Sequence, residues 1–133
     1  MKCQKDSFKK LMETLEYLKE ESEDKIIIVE GKKDIVSLNK LGVFGTFIPV
    51  RNIPIYLLCD ELLEMGIKEV ILMVDFDRRG KLLSKRIIDE LSSRGIFVNT
   101  KIRNDILTYT HKEVKDIESL YNYISKRLEI YRV

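Results

Sequence analysis

Two uninterrupted apolar runs that end in acid limit what this chain can fold into. Ile26-Ile27-Ile28-Val29 leads straight into Glu30-Gly31-Lys32-Lys33-Asp34, and Val70-Ile71-Leu72-Met73-Val74 into Asp75-Phe76-Asp77-Arg78-Arg79-Gly80. Apolar runs without polar alternation read as strands covered on both faces, the pattern of a parallel sheet. In open parallel sheets the ligand crevice lies outside the carboxyl ends of the strands, so Glu30, Asp75 and Asp77 are expected at one rim. Residues two apart on an extended chain point the same way. Asp75 and Asp77 are therefore expected to present oxygens to a common point while Phe76 turns away.

The rest of the chain alternates helix and strand around these runs. Phe8, Leu11, Met12, Leu15 and Leu18 recur at helical spacing and predict an amphipathic helix over 5–21 packed on the sheet, with Asp6-Ser7 as its N-cap. The acidic residues 20–24 read as a solvated linker. A helix over 33–41 follows, with Ile35, Val36 and Leu38 inward and Gly42 as its stop. Residues 47–50 read as a short strand, placed at an edge by Pro49. Helices over 54–65 and 81–93 flank the second acidic run, the latter with Leu83, Ile87, Ile88 and Leu91 inward. Residues 96–102 read as a fourth strand and 114–130 as a closing helix with Val114, Ile117, Leu120, Tyr121, Ile124 and Leu128 inward. Strands alternating with helices imply a mostly parallel, four-stranded sheet covered on both faces, an α/β class.

Composition narrows the function classes. A chain of 133 residues, 44% hydrophobic and 35% charged, fits one soluble globular domain. No apolar run approaches the ~18 residues of a membrane helix, and the polar start lacks the apolar core of a signal peptide, so a cytoplasmic protein is expected. Cys3 and Cys59 form no C-x-x-C and are expected as free thiols. His111 is the only histidine, which leaves no histidine-based metal site and points to a surface role. Gly31-Lys32-Lys33 lacks the first glycine and the Ser/Thr of a P-loop, so nucleoside triphosphate hydrolysis is not supported.

Crowded carboxylates need a counter-charge, because like charges push each other's pKa up. Mg2+ or Mn2+ meets that need. Hard Mg2+ takes one or two protein carboxylates and completes its shell with water and phosphate oxygens. Such an ion stabilises charge on an attacked phosphate and lowers the pKa of a bound water. Glu30 is a candidate ligand or a general acid or base. Lys32, Lys33, Arg78 and Arg79 flank the acids, as expected where a nucleic-acid backbone is held beside a metal. Arg103, Lys112 and Lys115 are expected to extend this basic rim, while Asp116 and Glu118 read as helix caps. The net charge of +2 identifies no nucleic-acid binder by itself.

V-E-G-K-K-D followed by D-F-D-R-R-G resembles the Toprim domain of topoisomerases, primases, certain nucleases and recombination mediators. The resemblance covers roughly residues 25–128. It implies a three-layer α/β/α, Rossmann-like fold, with residues 1–24 as an N-terminal helix and linker and 25–133 as the Toprim domain. It also implies a divalent metal at Glu30, Asp75 and Asp77. D-F-D-R-R-G is similar to the D-x-D-R-x-G form of type IA topoisomerases, which need large further domains. The chain resembles the small stand-alone Toprim proteins, similar to the ribonuclease that matures 5S ribosomal RNA but without its additional RNA-binding segment. The resemblance thus implies a small metal-dependent nuclease acting on RNA or DNA. A non-catalytic Toprim module that binds nucleic acid or acts as an adaptor in repair, recombination or RNA processing stands as the alternative.

Overall fold

The structure, a computed structural model, describes residues 4–131. Its elements run α1 (Gln4–Glu21), β1 (Ile26–Val29), α2 (Lys32–Lys40), β2 (Thr46–Pro49), α3 (Ile55–Glu64), β3 (Glu69–Met73), α4 (Arg78–Ser92), β4 (Phe97–Asn99), α5 (Lys101–Tyr109) and α6 (Leu120–Tyr131). The four strands form one sheet of order β2-β1-β3-β4, and every pairing is parallel. All four residues of β1 are buried, as the continuous apolar run requires.

Strand alternation divides the core in two. Ile27, Val29, Ile71 and Met73 face a layer built by α1, α2, α5 and α6. Ile26, Ile28, Val70 and Leu72 face α3 and α4. The result is a three-layer α/β/α fold. β2 is an edge strand, and its Pro49 pairs with Val29 alone, consistent with a residue that has no N–H to donate outward. The chain leaves β1 toward β2 on one side and then crosses to β3 on the other. The strand order therefore reverses between β1 and β3, the topological switch point where α/β sheets place their ligands.

Several boundaries differ from the sequence reading, each for a local physical reason. α1 begins at Gln4, which puts Asp6 in its first turn and buries Ser7, so this pair is not the N-cap. The stretch 20–24 is not simply a solvated linker: Ser22 is buried, its hydroxyl within 2.9 Å of the Lys19 carbonyl and 3.1 Å of the Phe44 carbonyl. Val36 and Leu128 are exposed rather than inward. The fourth strand is only three residues long, because the Asn99 side chain accepts from the Lys101 N–H and turns the chain into α5. α5 itself has no counterpart in the sequence reading; Ile102 and Ile106, four apart and both buried, carry its inner face. Val114 and Ile117 lie buried in an irregular segment before α6, not in a helix. Cys59 is buried and free, while Cys3 lies outside the described residues. Among the described residues no helix is long and apolar enough to cross a membrane.

α1 belongs to the core. Phe8, Leu11, Leu15 and Leu18 join the same buried cluster as Ile27 and Ile71, and the Phe8 ring meets Tyr131 of α6 at 5.4 Å between centroids. Leu15→Ala should therefore destabilise the whole domain by about 2–5 kcal/mol, the usual range for emptying a fully buried leucine site. Chemical denaturation followed by circular dichroism should show one cooperative transition at a lower midpoint. A variant with an unchanged midpoint, or with a separate early transition, contradicts this packing.

Candidate metal and phosphate site at the switch point

Glu30 follows β1 directly, and the adjacent strand β3 ends two residues before Asp75. The Glu30 carboxylate spans the switch point: Oε2 accepts from the Asp75 backbone N–H at 2.9 Å and Oε1 faces the Arg79 guanidinium at 3.4 Å. Glu30 is 4% exposed, whereas the Arg79 side chain is 74% exposed. The acid is fixed and its cation is free to swing, since an exposed partner adds little to such a pair.

Asp75 is buried, and its Oδ1 accepts from the Ile117 N–H at 3.0 Å. The segment that delivers Ile117 is stitched to the rim a second time, by the Phe76 N–H donating to the Lys115 carbonyl at 2.9 Å. Burial pushes the Asp75 carboxyl up to about 7; the Ile117 N–H pulls it back, while the negative charges of Glu30 and Asp34 and a hydrogen bond shared with Glu30 add to the rise. Asp34, overlooked in the sequence beyond its place in the motif, is thus a further buried acid of the site. Its Oδ2 accepts from the Gly31 N–H at 2.9 Å at the start of α2, and burial raises its pKa also, opposed by that N–H and by the Arg51 charge. A carboxylate three residues after a helix N-cap was the available signal.

Asp77 is placed differently from the expectation. β3 ends at Met73, so Asp75, Phe76 and Asp77 are not a continuation of the strand. Asp77 is the exposed N-cap of α4, its Oδ1 accepting from the Gly80 N–H at 2.7 Å. α4 consequently starts at Arg78, three residues earlier than the sequence implies. Gly80 sits in this first turn because any Cβ there would overlap the Asp75 carbonyl.

Arg103 is not part of a basic surface. It is buried in α5, with Nε donating to the Val74 carbonyl at 2.9 Å and a terminal nitrogen to the Asp75 carbonyl, and its guanidinium lies 5.2 Å from the centre of the Phe76 ring. Burial lowers its pKa, and the charges of Asp75, Glu30 and Asp77 oppose that fall. Arg103 is the fixed counter-charge behind the acids. Lys32, Lys33, Arg78, Arg79 and Lys115 are all exposed, with Lys33 4.0 Å from Glu118. Asp116 caps Ser119, accepting from its N–H at 2.8 Å, and His111 is exposed.

Two shallow clefts meet over Glu30 and share Arg51, Asn52 and Ile53 as a common wall. One, of about 550 Å³, runs to Arg79, Leu82 and Arg86 of α4. The other, of about 570 Å³, runs to Lys32 and Lys33 of α2 and to Glu118. Arg51, missed in the sequence, leans on Gly31: a Cβ on that glycine would meet its guanidinium at 2.8 Å.

The donor chemistry fits a hard divalent cation in part. Glu30 and Asp75 are adjacent buried carboxylates of the kind Mg2+ uses, and one or two protein carboxylates suffice for it. The expected cage of three is not preassembled: among the described residues no three acidic, histidine or cysteine side chains stand together in a metal-holding group.

This architecture, with its acids at the switch point of a parallel sheet covered on both faces, is that of an open, doubly wound α/β domain. The Toprim domain pattern matches residues 25–117, and the chain belongs to the Toprim family. It is similar to a UPF0292 protein of Methanocaldococcus jannaschii, 59% identical over 121 residues that cover 91% of this chain and 94% of the relative. A UPF0292 protein of Methanosarcina acetivorans is 39% identical over 116 residues, covering 87% and 78% of the two chains. A solved protein from Aquifex aeolicus shares the fold with a TM-score of 0.70 at 30% identity, covering 81% of this chain and 95% of that one. Membership of the family supports a metal-binding, nucleic-acid-related role.

The Asp75 environment yields a pH prediction. With its pKa raised from 3.8 to about 7, Asp75 holds its proton in the folded state through a range where the unfolded chain has lost it. Stability contributed by this group therefore falls as pH rises across that window. Asp75→Asn keeps an acceptor for the Ile117 N–H and removes the titration. In metal-free buffer its melting temperature at pH 8 should exceed that of the unsubstituted protein by ~4 °C or more, with a flatter profile between pH 5 and 8. A lower melting temperature at pH 8 with an unaltered profile contradicts the assignment.

Proposed function

We propose that this protein is a small Mg2+- or Mn2+-dependent nuclease that cleaves RNA or DNA phosphodiesters. The observation that carries the reading is the buried Glu30–Asp75 pair at the switch point, lying beneath two clefts whose walls carry cations. Glu30 and Asp75 would hold the metal, with Asp77 as the third carboxylate of the motif. When bound, the metal supplies a Lewis acid for the attacked phosphate and an activated water. The chain's own residues do the positioning. Arg79 leaves the weak pair with Glu30 for a backbone phosphate, and Lys32, Lys33 and Arg51 hold the strand along the second cleft. Arg103 keeps the acids together from behind when no metal offsets their repulsion. The capping role of Asp77 favours a second reading, a Toprim module that binds nucleic acid without cutting it.

A panel of structured RNAs and single- and double-stranded DNAs, incubated with Mn2+, separates the two. Glu30→Gln should abolish cleavage while leaving nucleic-acid binding within about twofold. Lys32→Ala with Arg79→Ala should instead weaken binding and reduce its salt slope by roughly one unit per lost contact. If every nucleic acid stays uncut and one binds equally well with and without metal, the nuclease reading fails and the adaptor stands.

A further inference from the structure

The two clefts over Glu30 differ in kind. That of α2 carries Lys32, Lys33 and Arg51 with the Glu118 carboxylate, and its apolar side chains are Pro49 and the shared Ile53, with no leucine or isoleucine of its own. That of α4 combines cations with an apolar ledge. Along α4, Arg79, Leu82, Leu83 and Arg86 fall at spacings of three and four and so lie on one helical face. Opposite stand Ile53, Pro54 and Ile55, carried by a turn that the Ile53 N–H closes on the Val50 carbonyl and in which Asn52 takes a φ of 68°. Asparagine tolerates that left-handed conformation at a turn. Leu82 is 59% exposed and Ile53 36% exposed, so neither is spent on the core.

We infer that the α4 cleft seats one unpaired nucleotide, with its base against Leu82 and Ile53 and its phosphate on Arg86, Arg79 and Arg51. A phosphate alone has no use for the apolar ledge, and an apolar ligand has no use for three arginines. A nucleotide uses both, and a cleft of about 550 Å³ is of ligand size. Arginine suits this place, since its planar group binds phosphate oxygens in pairs and stacks on flat rings. Glu30 at the floor repels phosphate, which places the anion toward Arg86 and leaves the carboxylates to the metal. A base inside a duplex cannot reach the ledge without leaving its stack. The site therefore selects single-stranded or locally unpaired nucleic acid. This deepens the proposed function and rests on it only in bringing nucleic acid to this rim.

The test needs neither metal nor cleavage. Methyl-detected NMR titrations of the metal-free protein would use AMP, dAMP, ribose 5-phosphate and inorganic phosphate. AMP or dAMP should shift the methyl signals of Ile53, Ile55, Leu82 and Leu83 and bind roughly fivefold or more tightly than ribose 5-phosphate, the gain expected from covering part of the ledge. Tighter binding of AMP than of dAMP marks RNA as the source, and the reverse marks DNA. Leu82→Ser should erase most of the preference while leaving ribose 5-phosphate affinity unchanged, and Arg86→Ala should weaken all four probes. Both side chains are exposed, and a retained amide spectrum verifies the fold. Equal affinity for AMP and ribose 5-phosphate, shifts confined to other surfaces, or a Leu82→Ser variant with its preference intact would overturn the inference. A protein that seats AMP here but cuts nothing refutes the nuclease reading alone; one that cuts RNA yet binds AMP no better than ribose 5-phosphate refutes this inference alone.

Discussion

The 2.9 Å bond from the Asp75 N–H to the Glu30 carboxylate is the constraint on which the site depends. It ties the ends of two adjacent parallel strands and fixes a buried acid where the strand order reverses. Packing supplies the precision. β1 and β3 are held in register from Ile26↔Val70 to Val29↔Met73, so the two ends arrive side by side before any polar contact forms. The apolar runs and the acids that follow them are one device.

Its difficulty is electrostatic. Glu30, Asp34 and Asp75 are all buried, and each charge makes the others costlier. The structure answers with groups that cannot move away: the Ile117, Gly31 and Asp75 N–H donors, and Arg103 anchored on the Val74 and Asp75 carbonyls. These donors and Arg103 oppose the rise in the Asp75 pKa, which burial drives first and the charges of Glu30 and Asp34 second. In the proposed function a divalent cation would supply the counter-charge these acids lack. The exposed cations, Arg79 and Lys32 among them, stand outside this buried group, where the proposed function would have them meet phosphate.

β1, β3 and the acids that directly follow them were legible because burial on both faces leaves an unmistakable apolar run. Glu30 and Asp75 lie where that pattern sends them. The parts that were not legible depend on polar side chains bonding to the backbone at a distance. Asn99 stops β4 and turns the chain into α5, and Asp77 draws the start of α4 back to Arg78. Arg103 looked like a surface cation because charge is normally solvated. Its burial follows from contacts with residues 28 and 29 positions earlier in the chain, which no local pattern displays. Arg51 and Arg86 escaped notice for the same reason: only the fold brings the β2–α3 turn to α4.

The central claim is that the switch-point acids hold a divalent cation. Paramagnetic Mn2+ tests it most directly, by amide NMR of the 15N-labelled protein at substoichiometric metal, since relaxation enhancement falls steeply with distance. The account predicts that the Asp75, Gly31 and Ile117 amides, whose N–H groups bond to the carboxylates of the site, broaden first. Excess Mg2+ should restore them. Broadening that begins at other acidic surfaces, such as the Glu20–Asp24 stretch, while those three amides stay sharp would contradict it.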